Sequence, residues 1–188
     1  MIVNYILFFC IYSFVGWVLE TTYASLRSRK FVSRGFLKGP FLPIYGFGAL
    51  LIIISSSWIY SKYNTGLISI GISLIASIFL VTLLEYITGF ALEKLFNERW
   101  WDYSNNYMNI KGYVCLEFSL IWGMLAFVVI QIIQPRLVQL TLETPVLLTS
   151  LLSLCFLAFI TLDTIISVNK LTRKMSDNNR RSKLEHNN

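Results

Sequence analysis

The chain has 188 residues, 55% of them hydrophobic and 15% aromatic, with only 14% charged. A soluble domain of this length would carry roughly 25% charged residues, so lipid is the expected solvent. The net charge of +6 does not point to nucleic acid, because the basic residues flank apolar segments instead of forming a separate basic module.

Reading from the start, Met1–Leu19 has no Lys or Arg before Arg27 and is filled with bulky Tyr, Phe and Trp. A secretory signal would need a positive n-region and a small-residue cleavage site, so the segment reads as a retained first helix. A span needs roughly 20 apolar residues to cross about 30 Å of hydrocarbon. Five segments qualify, at about 3–25, 41–60, 67–95, 114–134 and 146–168. The third is longer than a bilayer requires and is expected to tilt or project beyond it. The stretch from Pro135 to Pro145 is too short to cross and reads as a tight external connection. The expected fold is therefore an all-α polytopic membrane helix bundle over residues 1–170, followed by a basic, disordered cytoplasmic tail over 171–188.

Lysine and arginine in short loops are retained on the cytoplasmic side. The first loop holds Arg27, Arg29, Lys30, Arg34 and Lys38, and the third holds Lys94, Arg99 and Lys111. The tail holds Lys170, Arg173, Lys174, Arg180, Arg181 and Lys183, so only Lys62 and Arg136 of the 16 basic residues lie on the other side. Alternation without exception predicts an odd number of spans, the N-terminus outside and the C-terminus in the cytoplasm.

Ionisable groups inside a span are costly unless paired or hydrated, which makes each a functional candidate. Glu20, Glu85 and Asp163 each lie about 17–19 residues from the external start of their helices, and Glu117 about four from the cytoplasmic start of its own. At a rise of about 1.5 Å per residue, all four fall near one level at the cytoplasmic edge of the hydrocarbon. Glu93 lies two turns beyond Glu85. The alternative is that such acids merely reach the headgroups and pair with loop arginines.

The first loop alternates Gly and Pro with aromatics from Arg34 to Gly48, including Gly35, Gly39, Pro40, Pro43, Tyr45 and Gly46. Irregular backbone near membrane depth is tolerated where it is buried in protein or lines a wet cavity, which fits a re-entrant or gating loop. A tight turn opening the second span, with Pro40 or Pro43 near its first helical positions, fits equally. The third loop runs Arg99-Trp100-Trp101-Asp102-Tyr103-Ser104 and continues through Asn105, Asn106 and Asn109 to Gly112. An aromatic belt accounts for the rings. Stacking faces beside Asp102 would also suit an organic cation or a sugar-like headgroup.

Cys10, Cys115 and Cys155 lie in or beside apolar runs without CxxC spacing and read as small hydrophobes. His186 is the single histidine, which excludes His-based metal sites and Ser-His-Asp chemistry. The sequence contains no Walker A pattern, no HExxH and no GxSxG, so any ATP-driven step would need a partner that binds the nucleotide.

Gly16-Trp17 with Glu20, the Arg34–Gly48 loop, Glu85 with Gly89 and Glu93, Trp100–Ser104, Asn109 with Gly112, and Cys115-Leu116-Glu117 with Trp122-Gly123 occur in that order. Together they resemble the ABC-transporter type IV (CmpB-like) integral membrane proteins of Gram-positive bacteria, over about residues 10–125. The resemblance implies a transport-related component of the bacterial cell membrane and brings no substrate or mechanism with it.

The reading that follows is a small permease or transporter membrane subunit without its own ATPase. Its cytoplasm-facing site would draw on Glu20, Arg34, Tyr45, Glu85, Glu93, Arg99, Trp101, Asp102, Asn109 and Glu117. No cofactor is evident, although the carboxylates would accommodate a divalent cation. Membrane lipids, and an ATPase or other membrane subunit, are the expected partners. Two alternatives stay open: an enzyme acting on lipid headgroups or prenyl-linked substrates at the inner leaflet, and a non-catalytic scaffold or sensor.

Overall fold

The computed structural model describes residues 2–64 and 66–186, with side chains as far as residue 176. The architecture is all-α: α1 (Ile2–Ser28), α2 (Pro43–Tyr63), α3 (Leu67–Phe96), α4 (Leu116–Val128), α5 (Gln134–Glu143) and α6 (Val146–His186). Among the described residues the only β-pairing is one isolated bridge, Ile110 with Val114. Among the described residues five helices are long and apolar enough to cross a membrane, α4 and α5 forming one of them as Leu116–Glu143.

That fourth span corrects one expectation. The stretch from Pro135 to Pro145 is not a tight connection, because the helix continues to Glu143 and only Thr144 and Pro145 link it to α6. A π-helical turn, Val129–Ile133, precedes α5 and places Pro135 in its first turn. The helix is continuous here, so Pro135 removes one intrahelical donor and crowds the preceding turn, and the wider π turn lies where that bond is missing. Gln134, beside the proline, accepts a hydrogen bond from the Tyr12 hydroxyl of α1 at 3.0 Å. The basic segment expected to be a disordered tail instead continues α6 as far as His186, and residues 187 and 188 lie outside the described residues.

The core is built by α1–α4 and the π turn: Phe8 and Tyr12, Ala49, Ile52 and Ile53, Val81, Trp122 and Ala126, Val129 and Ile130. Ser69, Ser73, Ser77, Val81 and Glu85 recur every four residues along the buried stripe of α3. Small side chains there let neighbouring backbones approach, as in other membrane bundles. Outward-facing Ile75 and Phe79 of α3, and Leu151, Leu154 and Leu162 of α6, leave an apolar surface suited to lipid. A second cluster, Phe9, Cys10, Leu37, Phe41 and Ile160, seats α6 against α1 and the first long connection.

Helices α1 and α2 are offset along their axes. The Leu42 N–H, one residue before α2, donates to the Ser13 carbonyl at 2.9 Å. About 22 Å of α1 therefore extends past the start of α2. The 29–42 segment lies back along this extension. The Val32 N–H reaches Ser25 Oγ, the Arg34 N–H reaches Thr21 Oγ1 and Trp17 Nε1 reaches Ser33 Oγ, at 3.0–3.3 Å. Ser25 and Thr21 thereby satisfy backbone N–H groups that no helix covers.

Candidate functional site

Pro43 is the first residue of α2, so its missing N–H leaves no gap in the helix. Two residues on, the Tyr45 ring lies against Gly16 of α1, where a Cβ would overlap the root of the tyrosine side chain. Glycine at 16 is thus what allows Tyr45 to reach across α1 and donate its hydroxyl to Glu20 Oε1 at 2.7 Å. The Tyr45 ring also meets Trp122 of α4, with centroids 5.0 Å apart.

Trp122 in turn donates Nε1–H to Glu85 Oε2 at 3.1 Å, and Tyr103 of the second long connection donates its hydroxyl to Glu85 Oε1 at 3.1 Å. Tyr103 is stacked on Phe118 at 4.5 Å. Burial, followed by the negative charge of Glu85, pushes the Tyr103 phenol up, so it stays a donor at neutral pH. Glu20 of α1 and Glu85 of α3 are thereby joined through two touching aromatic rings, one from α2 and one from α4. Among the described residues neither carboxylate has a lysine or arginine within salt-bridge distance. Glu85 is only 5% exposed, yet every partner it has is a neutral donor.

The other expected residues are placed differently. Glu93 pairs with Arg99 at 2.7 Å, and Arg99 also faces Asp102 at 3.5 Å and lies over the Tyr113 ring. Trp101 donates its Nε1–H to the Tyr113 carbonyl at 2.8 Å, with its ring beside Gly89. Asp102 accepts from both the N–H and the Oγ of Ser104. Asn109 donates to the Ser104 and Asn106 carbonyls and accepts from the Gly112 N–H. Trp101, Asn109 and one oxygen of Asp102 thus make hydrogen bonds that fold the 97–115 connection itself. Glu117 is exposed and bonded to Asn106, and Arg34 is held through its backbone N–H with its side chain outward.

The Ser104 hydroxyl, then the Ser104 N–H, hold the Asp102 carboxyl below the usual carboxylate range. A depressed carboxyl stabilises its fold fully above the unfolded value, about pH 4, and loses that contribution as pH falls through the folded value. Amide exchange across 97–115, corrected for intrinsic rates, should therefore be flat from neutral pH to about pH 5 and rise below about pH 4. Asp102→Asn should remove the acid-side rise. An unchanged acid limb would show that Asp102 does not hold the connection.

In the first connection, Gly35 has a φ of +110°, which only glycine adopts without strain. Pro40 lies in the irregular stretch ahead of α2. Gly46 packs on Phe9 and Ser13 at the close approach of α1 and α2. At Gly39 a Cβ would press on Phe159 and Asp163 of α6. The Asp163 carboxylate accepts the Gly39 N–H at 2.7 Å and the Lys38 N–H at 3.3 Å.

Trp122 and Tyr103 are the members of the cluster that the sequence did not single out as site residues. Both belong to motifs quoted for the family resemblance, and a buried carboxylate demands donors, which was the available signal. Among the described residues no group of three or more His, Cys, Asp or Glu side chains is arranged to hold a metal ion.

No curated protein and no solved structure matches the chain. The profile of the family described as "Putative ABC-transporter type IV" (CmpB) matches residues 7–168, nearly the whole described bundle. The chain therefore belongs to this family and is a multi-pass membrane protein of the transport class.

Proposed function

We propose that this protein is a transport subunit or small permease whose cargo or coupling ion is a cation, bound between Glu20 and Glu85. The observation that carries the proposal is the pair of carboxylates linked through Tyr45 and Trp122 with, among the described residues, no basic side chain on either. Uncompensated charge near the hydrocarbon edge costs several kcal/mol, so a positive partner is the energetically consistent completion. A proton or an organic ammonium would meet that requirement, the latter with aromatic side chains beside both carboxylates.

The site would face the cytoplasm, with the N-terminus outside and the C-terminus inside. The distribution of lysine and arginine among the connections supports this orientation. The 29–42 segment would act as the wall, or re-entrant lining, of that site. An ATPase subunit would supply energy, since the sequence carries no nucleotide-binding motif of its own.

Labelled tetramethylammonium, which does not cross lipid readily, tests the charge and the sidedness together. Membrane vesicles holding the full chain should bind it saturably when inside-out and not when right-side-out. Binding that falls as pH is lowered would identify the proton as a competitor for the same site. Saturable binding from the outside alone would reverse the orientation, and no saturable binding in either form would remove the organic-cation reading.

A further inference from the structure

Asp163 is a buried membrane acid that the cation site does not use. It lies in α6, is 8% exposed, and accepts two consecutive backbone N–H groups from the 29–42 connection. Ser167, one turn along α6, also donates to it at 3.5 Å. Glycine at 39 is what lets the backbone come this close, since a Cβ there would press on the carboxylate and on Phe159. The same stretch is clamped apolarly, with the Phe41 ring 5.7 Å from Phe159 and 6.1 Å from Phe156.

From that clamp the chain runs without slack into the site. Leu42 donates to Ser13 of α1 at 2.9 Å, and the Tyr45 N–H returns to the Leu42 carbonyl at 3.0 Å. Tyr45 then delivers its hydroxyl to Glu20. A buried carboxylate accepting backbone N–H groups makes strong, charge-assisted bonds, and its loss would leave two amides without acceptors.

We infer that Asp163 is a positioning residue for the Glu20–Glu85 site: by holding the Lys38 and Gly39 amides it fixes the connection that sets Tyr45 against Glu20. It ties the last helix to the first turn of α2, so movement of α6 would be felt at Glu20. The inference rests on the cation reading of that site, and the experiment separates the two.

Amide exchange and tetramethylammonium affinity are measured together on the full chain in lipid nanodiscs, for the wild type, Asp163→Asn and Asp163→Ala. The alanine variant should speed exchange at 38–42 and in the first turn of α2 by at least tenfold, with exchange across 97–115 unchanged. Its affinity should fall at least tenfold. Asparagine keeps one oxygen for the Gly39 N–H and should recover part of both, and it carries the test alone if the alanine variant does not fold. Faster exchange confined to 38 and 39 with wild-type affinity would overturn the positioning role. If the wild type binds no tetramethylammonium, the cation reading fails by itself, and an α2 first turn that exchanges at the wild-type rate in the variants would then overturn the role of Asp163.

Discussion

Glu85→Gln should weaken tetramethylammonium binding about 10–100-fold, or about 1.4–2.7 kcal/mol, while the protein still folds. Glutamine preserves the volume of a side chain that is 5% exposed in a close-packed region. It removes the negative charge and replaces one acceptor oxygen with a donor amide. Trp122 Nε1–H and Tyr103 O–H now approach the two separate oxygens. In the variant only one of these donors retains an acceptor, so the loss combines ion pairing with a poorly held side chain. Isothermal titration at fixed ionic strength reads the change directly. Wild-type affinity in a folded Glu85→Gln protein would exclude Glu85 from the site.

Gly16→Ala should destabilise the bundle by about 1–3 kcal/mol, the cost of an added methyl where nothing can yield cheaply. The new Cβ would overlap the Cβ and Cγ of Tyr45, the root of the side chain and not its mobile tip. Relief requires moving α2 away from α1 or rotating Tyr45, and either breaks its bond to Glu20. The control is Gly71 in α3, around which a Cβ meets nothing within 4 Å. Gly71→Ala should be neutral or stabilising by up to about 1 kcal/mol, since alanine favours a helix over glycine. Equilibrium unfolding in mixed micelles compares them. Equal stability of the two variants would show that the α1–α2 contact at Tyr45 is not tightly packed.

Much of the bundle was legible because lipid imposes simple demands. Length and apolarity marked all five spans, and Pro43 opened α2 at a position where a proline is harmless. The continuation through Pro135 was not legible, because nothing in its local sequence announces a π turn that puts the proline in the first turn of α5. Counting residues along helices marks Glu20, Glu85 and Asp163 as acids within spans. Which acids share partners did not follow, because that depends on helix rotation and on the offset of α1 from α2. Trp101 and Asp102 looked like ligand groups for a related reason. Residue type reveals bonding capacity, whereas only the folded connection reveals that Trp101 Nε1 is bonded to Tyr113 and one Asp102 oxygen to Ser104.

The central claim is that Glu20 and Glu85 act together on one positive charge. A double-mutant cycle in tetramethylammonium affinity, using Glu20→Gln, Glu85→Gln and the combined variant, measures that cooperation directly. If both carboxylates hold the same cation, the double variant should lose less than the sum of the single losses, with a coupling of about 0.5–3 kcal/mol. Losses that add to within about 0.3 kcal/mol would mean two independent sites and would contradict the account.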